Sequence, residues 1–220
     1  VTSGKSPEAA KMFAQHPEWY PIVSGKRTIQ YHDGRSVQAC ITNPTVVDKV
    51  ASDILRLAKE GYENHENPNW NLISIGHNDE PTFWCECERC LAADDVDSLW
   101  KTNDSYDAYP DDPNNKNGNG AISRRYTLFA NEVAKRVAKE RPDLLVSFYA
   151  YGSTVAPPRD RDLKLHNNAV VEFAYSGHCL RHDIDDPRCP TNVKMKRWIE
   201  DWSRRGKEMF YDYPPTGPHI

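Results

Sequence analysis

The stretch Ala121–Tyr151, AISRRYTLFANEVAKRVAKERPDLLVSFYAY, reads as a helix that hands over at once to a buried strand. Tyr126, Phe129, Val133 and Val137 recur at spacings of three and four, which aligns them on one helical stripe. Pro142 ends the helix, since proline has no N–H to donate and its ring clashes with the preceding turn. Leu144–Tyr151 (LLVSFYAY) then carries no charge at all. A near-continuous apolar run of that length suits a parallel strand covered on both faces.

The same alternation extends outward. Val37–Thr42 (VQACIT) reads as a strand, and Asn43-Pro44 opens a helix as cap and first-turn proline. Val47, Val50, Ile54 and Leu57 form its expected inner stripe, closed by Gly61. Asn71–Gly76 (NLISIG) is a second strand and runs into His77-Asn78-Asp79-Glu80-Pro81. Ala169–Tyr175 (AVVEFAY) and Glu208–Tyr213 (EMFYDY) are further strands. Between them lies a helix with Met195, Trp198 and Trp202 inward, ending at Gly206. The link from LLVSFYAY to AVVEFAY has no helical pattern; Pro157-Pro158 and the charged run Arg159–Asp162 fill it.

Parallel strands alternating with amphipathic helices define an α/β class. No glycine-rich phosphate loop follows any strand, which argues against a dinucleotide-binding sheet. Polar and aromatic residues instead gather after each strand: Thr42-Asn43, His77–Glu80, Tyr149 with Tyr151, Tyr175–His178 and Asp212-Tyr213. That is where (β/α)-barrel proteins keep their working residues. The expectation is a TIM-barrel-type domain. About five strands cannot close an eight-stranded barrel, so an incomplete barrel is expected, as one domain over residues 1–220 with a long loop insertion at about 81–120. The Asp94–Gly120 part is rich in Asp, Asn, Gly and Tyr, reads as a lid, and lacks EF-hand spacing.

The 220 residues carry a net charge of −4 and no Lys/Arg-rich block, which disfavours nucleic acid as a partner. No apolar run is long enough to span a membrane. Six Trp and eleven Tyr, many beside Pro, Gly or His, suit surfaces that stack on sugar rings, and core packing as well.

Asp79-Glu80 is the leading catalytic candidate, placed directly after a buried strand. Glycoside cleavage needs an acid at the leaving oxygen and a second group at the anomeric centre. In substrate-assisted cleavage of N-acetyl sugars, the acetamide is the nucleophile, one carboxylate orients it and the other donates the proton. Glu172, inside a strand, is a second carboxylate if it faces inward. Candidate sugar contacts are His16, Glu18, Trp19 and Arg27 in the first loop, His77 and Asn78, Tyr149 and Tyr151, and Asp212 and Tyr213.

Cys85, Cys87 and Cys90 can ligate one zinc ion, with a fourth ligand from Cys40, Cys179, Cys189 or a histidine, or they can form disulfides. His178-Cys179-Leu180-Arg181-His182, with Cys189 later, reads as a loop able to offer a ligand or a disulfide partner.

HPEWYPIVSGKR, QACITNP, the strand ending in HND with CECERC after it, and NEVAKRVAKERPDLLVSFYAYGSTVAPP together resemble domain-of-unknown-function family 4838, from about His16 to Tyr213. Part of that family is classed as glycoside hydrolase family 163, with endo-β-N-acetylglucosaminidase action on N-glycans. The resemblance implies a retaining, substrate-assisted glycosidase barrel longer than this chain, in secreted, periplasmic or cell-surface bacterial proteins. Asp79 falls on the family's Asn-Asp pair. The expected activity is hydrolysis of N-acetylhexosamine-containing glycans or glycoproteins, with no cofactor required for catalysis and a structural zinc at most. The competing expectations are a non-catalytic carbohydrate-binding domain and a metal- or disulfide-stapled structural domain.

Overall fold

The computed structural model describes residues 7–30, 37–64, 71–78, 83–94, 121–175 and 178–212. Helix α1 (Pro7–Gln15) and a single 3-10 turn (Pro17–Trp19) lead into a two-stranded antiparallel hairpin, β1 (Ile22–Val23) and β2 (Lys26–Arg27). Then come α2 (Pro44–Asn64), β3 (Leu72–Ser74), α3 (Glu88–Ala93), α4 (Ser123–Glu140) and β4 (Leu145–Ala150). A 3-10 turn (Gly152–Thr154), β5 (Ala169–Tyr175), α5 (Pro190–Ser203) and β6 (Lys207–Asp212) complete the order.

Strands β3, β4, β5 and β6 form one sheet, all parallel and in sequence order. Each new strand therefore joins the same edge. Right-handed crossovers that always advance in one direction leave their helices on one face. Phe148 of β4 demonstrates this directly: its ring lies 5.7 Å from Tyr126 of α4 and 5.9 Å from Trp202 of α5. Both helices thus cover the same side of the sheet. A doubly wound sheet reverses its strand order and is covered on both sides; neither feature occurs among the described residues. The α/β class stands.

The core lies between the sheet and these helices. Val133, Val137, Leu144, Val146, Phe148, Val171, Phe173 and Trp202 are fully buried there. Burying such side chains contributes on the order of 1.5–3 kcal/mol each. The link from β4 to β5 has no helix, as its prolines imply, and buried Arg205 organises it instead. Its guanidinium donates to the carbonyls of Pro158, Asp160 and Leu163, while Trp202 Nε1 donates to Val155 O at 2.9 Å.

Two expectations are corrected. Val37–Thr42 is not a strand: only Val37 pairs, in a single parallel bridge with Phe83. The following residues fold into tight turns, with Ile41 N bonded to Ala39 O and Asn43 N to Cys40 O. Cys40 is drawn there into a thiol cluster, and that pull wins over β-propensity. The parallel sheet thus has four described strands. In α2 the inner stripe is Val47, Ala51, Ile54 and Ala58, whereas Leu57 is 42% exposed. Gly61 does not end that helix, which continues to Asn64. Asn43 opens it as expected, its Oδ1 accepting from the Thr45 N–H at 3.0 Å.

Candidate functional site

The face of the sheet away from α4 and α5 carries no helix among the described residues. Parallel partners point to the same side, so the register lists its side chains. Tyr149 pairs with Glu172, Glu172 with Met209, and Ala174 with Tyr211. Phe148, Val171 and Phe173 point the other way, into the core. Glu172 is 7% exposed, and no hydrogen bond or ion pair links it to another described residue. Tyr149 and Tyr211 meet over β5, with ring centroids 5.7 Å apart, edge to face. Ser147, one pleat earlier on β4, is fully buried, and its hydroxyl has no hydrogen-bond partner among the described residues. Burying polar groups without partners is costly unless a ligand supplies them. Ser147 and Glu172 thus share the face that Tyr149 and Tyr211 frame, which makes it the candidate binding face.

The residues after β3 are held at this end of the sheet. His77 is buried, with Nε2 3.1 Å from Thr154 Oγ1 and its ring packed among Trp84, Tyr126 and Tyr151. Its surroundings make it a packing residue, not an open sugar contact. Asn78 donates from Nδ2 to Val37 O at 3.0 Å. Gln38 binds Asn78 from both ends of its amide: Nε2 donates to Asn78 O and Oε1 accepts from Asn78 N, each at 3.2 Å. The Gln38 N–H donates to Phe83 O at 2.8 Å. One buried glutamine therefore fixes both residue 78 and residue 83. Asp79, Glu80 and Tyr213 lie outside the described residues. Asp212 ends β6. Tyr151 follows β4, half-buried and against His77.

The first-loop candidates gather elsewhere. His16 lies flat on Trp19, 3.9 Å between centroids, and its Nδ1 is 3.4 Å from Glu18 Oε1. Trp19 Nε1 donates to Thr45 Oγ1 at 2.8 Å, and Asn43 Nδ2 donates to Glu18 O at 3.0 Å. Arg27 donates to the carbonyls of Glu18 and Tyr20. These four residues brace the start of α2, and none of these bonds runs to β4 or β5.

Cys40, Cys85, Cys87 and Cys90 come together, with all four sulfurs within 4.8 Å of one another. None of the six cysteines is in a disulfide. Cys40 Sγ is 3.7 Å from Cys87 Sγ and 3.8 Å from Cys90 Sγ. Four thiolates at 2.3 Å from a tetrahedral zinc stand about 3.8 Å apart, so the spacing fits the ion. Cys85 Sγ accepts from the Ile22 N–H at 3.3 Å, and Thr42 Oγ1 lies 3.0 Å from Cys90 Sγ. The hydrogen bonds of Cys40 and Cys90 pull the Cys85 thiol far down. Cys85 beside it pushes Cys40 up to about 11, and Cys90 is raised by Cys40, Cys85 and burial. A divalent cation among the four sulfurs would let all four ionise. The cluster can bind a metal, and its residues tie together β1, the turn before α2 and the loop after β3.

Arg125, 2% exposed, secures this unit from α4. It donates to Cys85 O at 3.0 Å and forms a two-bond pair with Asp94, at 2.8 and 2.5 Å. Sequence reasoning missed Arg125 and Gln38. Arg125 adjoins Tyr126 in the sequence but falls off the stripe of Tyr126, Phe129, Val133 and Val137, and no local pattern marks a buried arginine. Cys40 was one of several candidates for the fourth ligand, and only the fold selects it. A second group, Cys179, His182 and Cys189, also lies within 4.8 Å.

The comparisons with curated proteins and with solved structures return no match. A family model described as "Domain of unknown function (DUF4838)" matches residues 6–216, nearly the whole chain. The chain belongs to the DUF4838 family.

Proposed function

We propose that this chain is a carbohydrate-active domain of the (β/α)-barrel type that hydrolyses N-acetylhexosamine-containing glycans, in an exported bacterial protein. The observation that carries this reading is Glu172, a buried carboxylate on the helix-free face, level with Tyr149 and beside Tyr211. A carboxylate can protonate a leaving oxygen or orient an acetamide, and aromatic rings offer apolar faces to sugar C–H groups. The unreversed strand order and one-sided helices support barrel-wise winding. In this reading Asp79, with Glu80 or Glu172, supplies the acid and the acetamide-orienting group. Gln38 anchors residues 78 and 83 on either side of that acidic pair. Release of glycan from an N-glycoprotein tests it, comparing the wild type with Asp79→Asn, Glu80→Gln and Glu172→Gln. Loss of turnover in Glu172→Gln and in one of the other two is expected; full activity in all three would reject the assignment.

The four-cysteine cluster is proposed to hold one structural zinc. The ion would supply no step of the reaction; it would fasten the loop that follows Asp79 and Glu80. Metal analysis after purification without chelator is expected to find zinc that Cys90→Ser no longer retains.

A further inference from the structure

We infer that Cys179, His182 and Cys189 form a second binding site for a zinc-type divalent ion, open to an outside ligand at its fourth position. The three donor atoms lie within 4.8 Å of one another. Cys179 Sγ is 3.1 Å from His182 Nδ1. Around a tetrahedral zinc these two donors stand about 3.5 Å apart, so the pair opens by only a few tenths of an ångström. Two thiolates and one imidazole are a donor set that zinc accepts, and three protein ligands leave one position for water or another oxygen or nitrogen donor.

The backbone around the site is arranged in advance. Asn192, fully buried in α5, accepts the Cys179 N–H on Oδ1 at 2.7 Å. Its Nδ2 faces the carbonyls of Cys179, His182 and Asp183 at 3.0, 2.9 and 3.1 Å. One buried amide thus fixes the peptides of two of the three ligands. The third, Cys189, is 3% exposed and caps the N-terminus of α5, with Pro190 next. Asn192 would be costly to bury if the loop were not held in this shape.

Access differs from ligand to ligand in a way that suits an open site. Cys189 is buried, Cys179 half-buried and His182 exposed, so the ion would sit at the surface with water on one side. The Asp186 carboxylate is taken by Arg188 at 2.9 and 3.0 Å. Binding displaces one proton from each cysteine thiol, while the imidazole binds neutral through Nδ1 and keeps its proton on Nε2. The loop lies between β5 and α5, past the strand that carries Glu172.

The test is zinc stoichiometry in the whole chain, reduced, dialysed against Zn²⁺ and freed of excess. The comparison is between the wild type and the double variant Cys179→Ser, His182→Ala. The four-cysteine cluster is untouched in both, so its own occupancy cancels in the difference. One zinc fewer in the variant is the expected result; equal zinc in the two overturns the inference. Should the variant unfold by circular dichroism, alkylation of the wild type decides instead. Cys179 and Cys189 are expected to react at least tenfold more slowly with Zn²⁺ than after chelation. Equal rates, or a peptide in which Cys179 and Cys189 are joined as a disulfide in unreduced protein, would overturn it.

Discussion

Gly76 and Tyr149 share one space: a side-chain carbon on residue 76 would overlap the Tyr149 ring. The backbone at 76 is not left-handed, so glycine is needed there for room and not for conformation. The ring that stands beside Glu172 is therefore positioned by an absence just past the end of β3.

Gly76→Ala is expected to destabilise the protein by about 1–3 kcal/mol by overpacking. In a Tyr149→Ala background the same change should cost little, since the overlap is gone. A double-mutant cycle in urea measures the coupling. Equal costs in both backgrounds would show that the ring does not lie over residue 76.

Arg125 and Asp94 form a buried pair at side-chain exposures of 1% and 17%. Removing one partner strands the other. Arg125→Met and Asp94→Asn are each expected to cost about 3–5 kcal/mol, measured by denaturant unfolding. The double variant should recover part of that loss.

Glu208 sets a pH dependence. Burial pushes its carboxyl up to about 7 from an ordinary 4.5, and Oε1 has no hydrogen-bond partner among the described residues. The folded protein tolerates the neutral form better than the ion. Its contribution to stability is therefore fully present below about pH 4.5 and lost as pH rises through about 7. Glu208→Gln should flatten this slope and raise the melting temperature at pH 8 relative to the wild type. A parallel pH profile in both proteins would remove Glu208 as the cause.

The four-cysteine cluster makes the protein sensitive to chelation. Stripping zinc from the wild type should lower its melting temperature by several degrees, with recovery on adding Zn²⁺. Cys87→Ser should start low and respond to both treatments less than the wild type does.

The parts of the fold legible in the sequence are those where one local pattern decides. AVVEFAY is strand from Ala169 to Tyr175, as its apolar run implies, and α4 keeps its stripe of Tyr126, Phe129, Val133 and Val137. The illegible parts are those where distant residues compete with local propensity. VQACIT has strand composition, yet Cys40 joins Cys87 and Cys90 from 47 and 50 positions away. His77 looked like a sugar contact because it follows a strand, but Thr154 and three aromatic rings enclose it. Trp19 is expected to meet a sugar, and only the fold reveals that His16 already lies flat on one of its faces. Glu172 was readable as a carboxylate in a strand; only the register with Tyr149 assigns it a side.

The most direct measurement is glycan release from an N-glycoprotein by the wild type and by Glu172→Gln, with unfolding curves recorded for both. The account predicts that the wild type frees glycan and that the variant, equally stable or more so, releases it at least a hundredfold more slowly. Undiminished release by a folded Glu172→Gln protein would contradict it.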